Sequence, residues 1–181
     1  QGGFAGEGVM EADRVLPKFA GLRACPTWNF NGNVPAAMAA LGSTRIGRRV
    51  LASKNVCHRV VYDAALHRLV RQAALAATGA HALGLGMVYN SMEAYLRRKP
   101  QGKKFHDPLA LALCFDEAAC SLAEVELWRA PCGGWGSSQC RGSGTFISVD
   151  YDPARFAEAI LGLPLAKLAP AELAEYCAAV A

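Results

Sequence analysis

The sequence predicts an α/β fold in which helices flank an open, mainly parallel sheet with an antiparallel hairpin added near the C-terminus. Three observations carry that prediction. Helical stretches, each with its own Pro and Gly punctuation, alternate with short β-like runs, the element order that builds a layered domain. The β-like runs come singly except for a late pair separated by a Gly/Ser-rich stretch, which reads as a hairpin. Composition agrees, because 52% hydrophobic and 19% charged residues in a chain of 181 are globular values. A chain this long buries roughly 70% of the surface its unfolded form exposes, so it needs neither disulfides nor metal to fold. With no repeat or linker in the sequence, residues 1–181 are expected to form one domain.

After the Gly-rich start Gln1-Gly2-Gly3-Phe4-Ala5-Gly6-Glu7-Gly8, residues 16–30 read as a surface loop that ends in the turn-forming Asn29-Phe30-Asn31-Gly32-Asn33. Asn33 as N-cap and Pro35 in the first turn predict a helix over 36–41, stopped by Gly42. Residues 49–53 form a β-like run, and 54–58 a strand with polar residues at its C-terminal end. Asp63 opens a second helix with apolar positions Leu66, Leu69, Val70 and Leu75, ended by Gly79. A third helix runs from about His81 to Arg98, with Arg97, Arg98 and Lys99 facing its dipole and Pro100 behind them. Residues 101–104 read as a loop. Asp107-Pro108 then starts a helix whose residues 109–115 are apolar nearly all round, which predicts deep burial. A strand at 124–128, a turn region at 132–144 and a β run at 145–149 make the hairpin. Asp152-Pro153 opens a helix through Leu161, and Pro170 opens a last one through Val180.

Several function classes are disfavoured. The net charge of +4 is modest, and its basic residues fall in short clusters (Arg45/Arg48/Arg49, Arg97/Arg98/Lys99, Lys103/Lys104) without interleaved aromatics, so no nucleic-acid partner is expected. There is no run of 18 apolar residues, so no membrane span is expected. The N-terminus has no charged leader, apolar core or initiator Met and resembles neither a signal peptide nor a translation start, which predicts a processed or truncated chain. The seven Cys are odd in number and lack CxxC spacing; they predict reduced thiols and a cytoplasmic or other reducing compartment. Cys132 and Cys140 bracket a turn and would form a disulfide only under oxidising conditions.

The sharpest local feature is Phe105-His106-Asp107-Pro108-Leu109-Ala110, an ionisable pair where a loop enters a helix. Asp107 has a structural reading as N-cap, with Pro108 behind it. In a functional reading, His106 exchanges protons near neutrality at a loop mouth, and Asp107 turns its oxygens to a hard cation such as calcium.

With Lys104 in front, this segment resembles the C-terminal motif of the inosine-uridine preferring nucleoside hydrolases. Gln1-Gly2-Gly3-Phe4-Ala5-Gly6 is similar to that family's Gly-Gly segment, and Cys25-Pro26-Thr27-Trp28-Asn29-Phe30-Asn31-Gly32-Asn33 to its substrate-proximal loop. Ser53-Lys54-Asn55-Val56-Cys57-His58 resembles the end of its central strand. Trp135-Gly136, Gly142-Ser143-Gly144-Thr145 and Asp150-Tyr151-Asp152 resemble its terminal hairpin and helix. The resemblance spans nearly the whole chain and implies a nucleoside hydrolase-like fold.

It also implies hydrolysis of the N-glycosidic bond of ribonucleosides, with calcium holding the ribose hydroxyls and the attacking water. On this resemblance His106 is the general acid toward the leaving base, Asp107 a calcium ligand, and Asn29 a ribose hydrogen-bonding residue. Thr27 stands on the substrate side where many members carry Glu, and Tyr89 and Tyr95 match positions near a mobile flap. The chemistry is coherent, since an oxocarbenium-like transition state needs an activated water on one side and leaving-group protonation on the other.

The departures are equally specific. The family's acidic cluster, Asp-Thr-Asp-x-Gly-x-Asp-Asp, has no counterpart; Asp13-Arg14 and Asp116-Glu117 are the nearest acidic points. The chain therefore reads as the C-terminal half of the fold. Val9 stands where the family usually has a ribose-binding Asn. One carboxylate cannot supply the six to eight oxygens calcium takes, so the chain alone is expected to be inactive. Two readings follow: a hydrolase completed by an N-terminal half on a partner chain or longer precursor, within an oligomer, or a catalytically dead structural subunit of a larger assembly. A nucleoside-binding module is a third. Elsewhere, Cys57 and His58 point to opposite faces if strand neighbours and form no dyad, while His67 and His81 read as a surface and a helix-end residue.

Overall fold

A computed structural model describes residues 1–180. In chain order its elements are β1 (Ala24–Cys25), α1 (Trp28–Gly32), α2 (Val34–Gly42), β2 (Arg49–Leu51), α3 (Lys54–Cys57), β3 (Val61–Tyr62), α4 (Ala64–Ala76) and α5 (Gly79–Arg98). There follow β4 (Lys103–Lys104), α6 (His106–Phe115), β5 (Cys120–Arg129), β6 (Trp135–Gln139), β7 (Thr145–Tyr151), α7 (Pro153–Leu161) and α8 (Pro170–Val180). Backbone contacts group them into two units: Gln1–Arg59 with Cys120–Tyr151, and a second that begins at Val60–Ala119 and resumes at Asp152.

The first unit holds an open mixed sheet of order β1-β6-β5-β7-β2. The expected mainly parallel character is not what this sheet displays. The β2–β7 pair is parallel, whereas β1–β6, β5–β6 and β5–β7 are antiparallel. The reason lies in connection length. The stretch 130–134 that links β5 to β6 is too short for a parallel crossover, which takes a dozen residues or more, and β7 continues past 140–144 in the direction of β6, so that it meets Cys120–Glu124 of β5 antiparallel as β6 meets Val125–Arg129. Residues 132–144, expected as turn, thus contain a strand. Trp135 is fully buried there, with its ring edge-on to Phe30 at 4.9 Å and its Nε1 donating to Asn31 Oδ1 at 2.8 Å. Gly136 permits the close pairing, because a Cβ at that position would lie 2.6 Å from the Arg23 carbonyl oxygen.

Two further expectations in this unit change. Residues 54–58 form a helical turn in place of a strand, since Ser53 Oγ accepts from Val56 N–H at 3.1 Å and sets a cap. Residues 28–32, expected as loop, are the short helix α1, in which the Thr27 carbonyl accepts from Asn31 N–H at 3.0 Å. The Asn33 cap of α2 is found as expected, with Oδ1 accepting from Ala36 N–H at 3.0 Å. Phe4, Phe19 and Cys25 form a buried cluster joined by Val15 and Leu16.

In the second unit, Asp63 caps α4 and Asp152 caps α7, as the sequence predicts. The stretch 101–104, expected as loop, contributes β4, which pairs antiparallel with β3. Leu66, Leu69, Leu109 and Leu161 have no exposed surface, and Phe156 only 1%. The expected deep burial of α6 does not hold. Leu109 and Ala112 are buried while Leu111 and Phe115 are 52% and 70% exposed, because α6 packs one face against α7 and an all-round apolar pattern cannot say how many faces are covered. Leu75, assigned to the core face of α4, is likewise exposed. Among the described residues no helix is long and apolar enough to cross a membrane.

Candidate functional site

The predicted site residues lie in both units. In the first, the Gly-rich start runs through the interior: Gly2 N–H donates to Ala52 O at 3.0 Å and Lys54 N–H to Gly3 O at 2.9 Å. Gln1 and Asn29 meet beside it. Asn29 Nδ2 donates to the Gln1 carbonyl at 2.7 Å and to its Oε1 at 3.2 Å, and Gln1 Nε2 reaches Cys57 Sγ at 3.3 Å. Lys54 Nζ donates to Pro26 O at 2.6 Å, which anchors the segment before Thr27. Asn29 is exposed on α1. Thr27 is only 1% exposed and precedes α1 without capping it, and its Oγ1 has no hydrogen-bond partner among the described residues. Val9 is buried.

In the second unit, His106 and Asp107 are the first two residues of α6, so Asp107 sits in the first turn and the N-cap is Phe105. That corrects the structural reading of Asp107 as the cap itself. The junction is fixed from behind: Phe105 N–H donates to Val60 O at 2.9 Å, and the Phe105 ring lies 4.8 Å from that of Tyr62. His106 is half-buried and Asp107 exposed. Tyr95, on α5, has the ammonium groups of Lys103 and Lys99 at 5.1 Å and 5.9 Å from its ring centre. Lys103 belongs to β4, three residues before His106, so Tyr95 and the His106 junction share one neighbourhood of this unit.

Sequence reasoning missed a second group. His67, expected at the surface, is 9% exposed, with Nδ1 at 2.9 Å from Tyr62 Oη and Nε2 at 2.8 Å from Glu93 Oε2. Its ring stacks on Tyr89 at 4.3 Å, and Arg97 grips the other oxygen of Glu93. Hydrogen bonds from His67 and then Arg97 hold the Glu93 carboxyl below its ordinary range, and burial raises the Tyr62 phenol. The signal was present in the spacing: Tyr89, Glu93 and Arg97 recur every four residues on one helix face. Tyr89 is therefore engaged with His67. His81 is at the helix start as expected, with Nε2 at 2.7 Å from Leu161 O.

All seven cysteines are free thiols, Cys132 and Cys140 included. Burial, with Asp150 nearby, pushes the Cys120 thiol up to about 12. Among the described residues no group of three or more His, Cys, Asp or Glu side chains is placed to hold a metal ion. The chain matches no protein-family model, and it matches no curated protein.

Proposed function

We propose that this chain carries the leaving-base side of a calcium-assisted ribonucleoside N-ribohydrolase, active when an N-terminal half on another chain or a longer precursor supplies the remaining metal donors. The reading rests on the placement of His106 and Asp107 at the start of α6, one half-buried and one exposed, behind a junction fixed by Val60, Tyr62 and Phe105. His106 holds the proton that passes to the departing base nitrogen, a role worth typically 10²–10⁴-fold in rate. Asn29, Thr27 and Tyr95 are the substrate-side residues of this reading, and Asp107 offers one carboxylate to the ion. Calcium, when bound, supplies an activated water. The partners are a ribonucleoside and a second chain or further copy, and seven free thiols favour a reducing compartment.

A second reading, a catalytically silent subunit, is favoured by three observations in the first unit. Val9 is apolar and buried, the Thr27 hydroxyl is buried without a partner, and the Asn29 amide nitrogen is spent on Gln1. Intact mass of the native material, calcium calorimetry and release of free base from inosine and uridine separate the two. Calcium binding with turnover that His106→Ala lowers at least about a hundredfold supports the hydrolase. Native material that binds no calcium and releases no base supports the silent subunit.

A further inference from the structure

α5, the longest helix among the described residues, packs against α4 and leaves its other side open. Leu85, Tyr89, Met92 and Leu96 are buried or half-buried at helical spacing and face inward. The opposite side is exposed at Ala80, Leu83, Gly84, Met87, Asn90, Ser91 and Ala94. Steps of three and four residues alternate there over two heptads, the spacing of a seam that receives another helix. Leu83 and Met87 are 67% and 63% exposed, and no charged side chain lies on this side between Ala80 and Ala94. A helix face left in water is ordinarily charged or polar, so an exposed seam of this kind marks an interaction surface.

The side chains indicate what covers it. The two large ones, Leu83 and Met87, lie in the first half of the seam, and the smaller Asn90, Ser91 and Ala94 in the second. A second copy of α5 laid antiparallel, with the two-fold axis at Met87, sets Leu83 against Ser91 and Ala80 against Ala94, so that large meets small. A parallel pair sets Leu83 on Leu83 and leaves the small residues facing one another across a gap. Charge selects the same direction. Arg97 and Arg98 lie in the last turn of α5, where a parallel pair stacks them on their own copies. Antiparallel packing carries them to the start of the partner's helix, where Asp116 and Glu158 line an open groove with His81 and the exposed Phe115. Asp116 already pairs with Arg155 at 2.8 Å and Glu158 accepts from Leu165 N–H at 2.9 Å, so these rim charges orient the pair more than they bind it.

We propose that the exposed side of α5 is a homodimerisation surface, on which a second copy of this chain packs its own α5 antiparallel about a two-fold axis at Met87. One pair of helix faces covers less than the roughly 800 Å² per partner of a standard interface, so association in the micromolar range is expected. The pairing does not depend on the hydrolase reading, because Tyr95, the one residue of that reading on α5, is half-buried and outside the seam.

Sedimentation equilibrium of the whole chain over about 1–200 μM is expected to show monomer and dimer in exchange. Met87→Glu sets two carboxylates together at the axis and is expected to weaken the dimer at least about tenfold with circular dichroism unchanged, since Glu suits an exposed helix position. Two double variants read the direction and guard against a fold defect in the first. Ala80→Glu with Ala94→Lys places opposite charges across the antiparallel pair, whereas Ala80→Glu with Ala94→Glu places like charges, and the former is expected to dimerise about tenfold more tightly. In a parallel pair both place like charges together and their affinities are equal. A chain that is monomeric at every concentration, a dimer that Met87→Glu leaves intact, or equal affinity of the two double variants overturns the proposal.

Discussion

Buried polar side chains in the first unit bond partners far away in sequence. Asn55 reaches Ala5 across 50 residues, Ser148 reaches Ser53 across 95, and Ser137 reaches Phe4 across 133. All are neutral groups, and each satisfies a backbone donor or acceptor. In the second unit the buried polar group is His67, whose partners Tyr62 and Glu93 are 5 and 26 residues away and ionisable. The contrast teaches that these buried bonds of the first unit join remote segments with no titratable member, the unit's ion pairs of Asp150 with Arg14 and Arg59 lying nearer the surface, while the buried His67 group of the second unit joins groups that respond to pH. Breaking the first calls for removing a shape or an acceptor. The second can be loosened by protons alone.

The largest expected effect is in the first unit. Trp135→Ala removes a fully buried ring and the Nε1 bond to Asn31, and a loss of about 3–5 kcal/mol is expected in urea unfolding. Next is His67→Phe, which keeps the stack on Tyr89 but leaves the buried Tyr62 hydroxyl without its partner. A loss of about 1–3 kcal/mol is expected, and an unchanged midpoint would mean that the hydroxyl finds another acceptor.

Glu93→Gln sharpens the comparison through pH. The folded carboxyl titrates below its ordinary value of 4.5, so its contribution is present above that value and is lost as pH falls through the lower folded value. The stability gap between wild type and Glu93→Gln should therefore close in acid. Tyr62 titrates above its ordinary value of 10.0, so its contribution is present below that value and is lost as pH rises beyond it. The second unit is thus weakened at both ends of the scale. A first-unit variant such as Ser137→Ala should show a gap that does not vary with pH between 4 and 10, measured by the same unfolding series.

Smaller still is the thiol contrast. Exposed Cys114, Cys132 and Cys177 should alkylate readily with iodoacetamide, while buried Cys120 stays unlabelled in the native protein, as read by peptide mass spectrometry. The smallest effect is Arg68→Ala, which removes an exposed ion pair with Glu175 and should cost no more than about 1 kcal/mol.

Local signals proved reliable wherever the structure depends on a few neighbouring residues. The Asn33, Asp63 and Asp152 caps, the Pro153 and Pro170 helix starts and the long helix ending at Arg98 were all legible, because a cap bonds a backbone group two or three residues away. So was the position of His106-Asp107 where a loop meets a helix. Glu93 was partly legible through its four-residue spacing to Tyr89 and Arg97. Its partner His67 was not, since nothing in α4 announces which helix face another element will cover.

By itself, then, the sequence determined where the helices begin, which residues carry titratable chemistry and that helices and strands mix in one chain. Tertiary structure decided the rest. Strand direction depends on which strand β5 meets through its short connections, and the burial of Trp135 and exposure of Phe115 depend on whether a packing partner arrives. Even the orientation of the Asn55 amide is fixed only by Ala5, 50 residues away. These are contacts between segments remote in sequence, whose free energy comes from removing surface from water, and a local pattern shows which residues are available for burial but not which of them are covered.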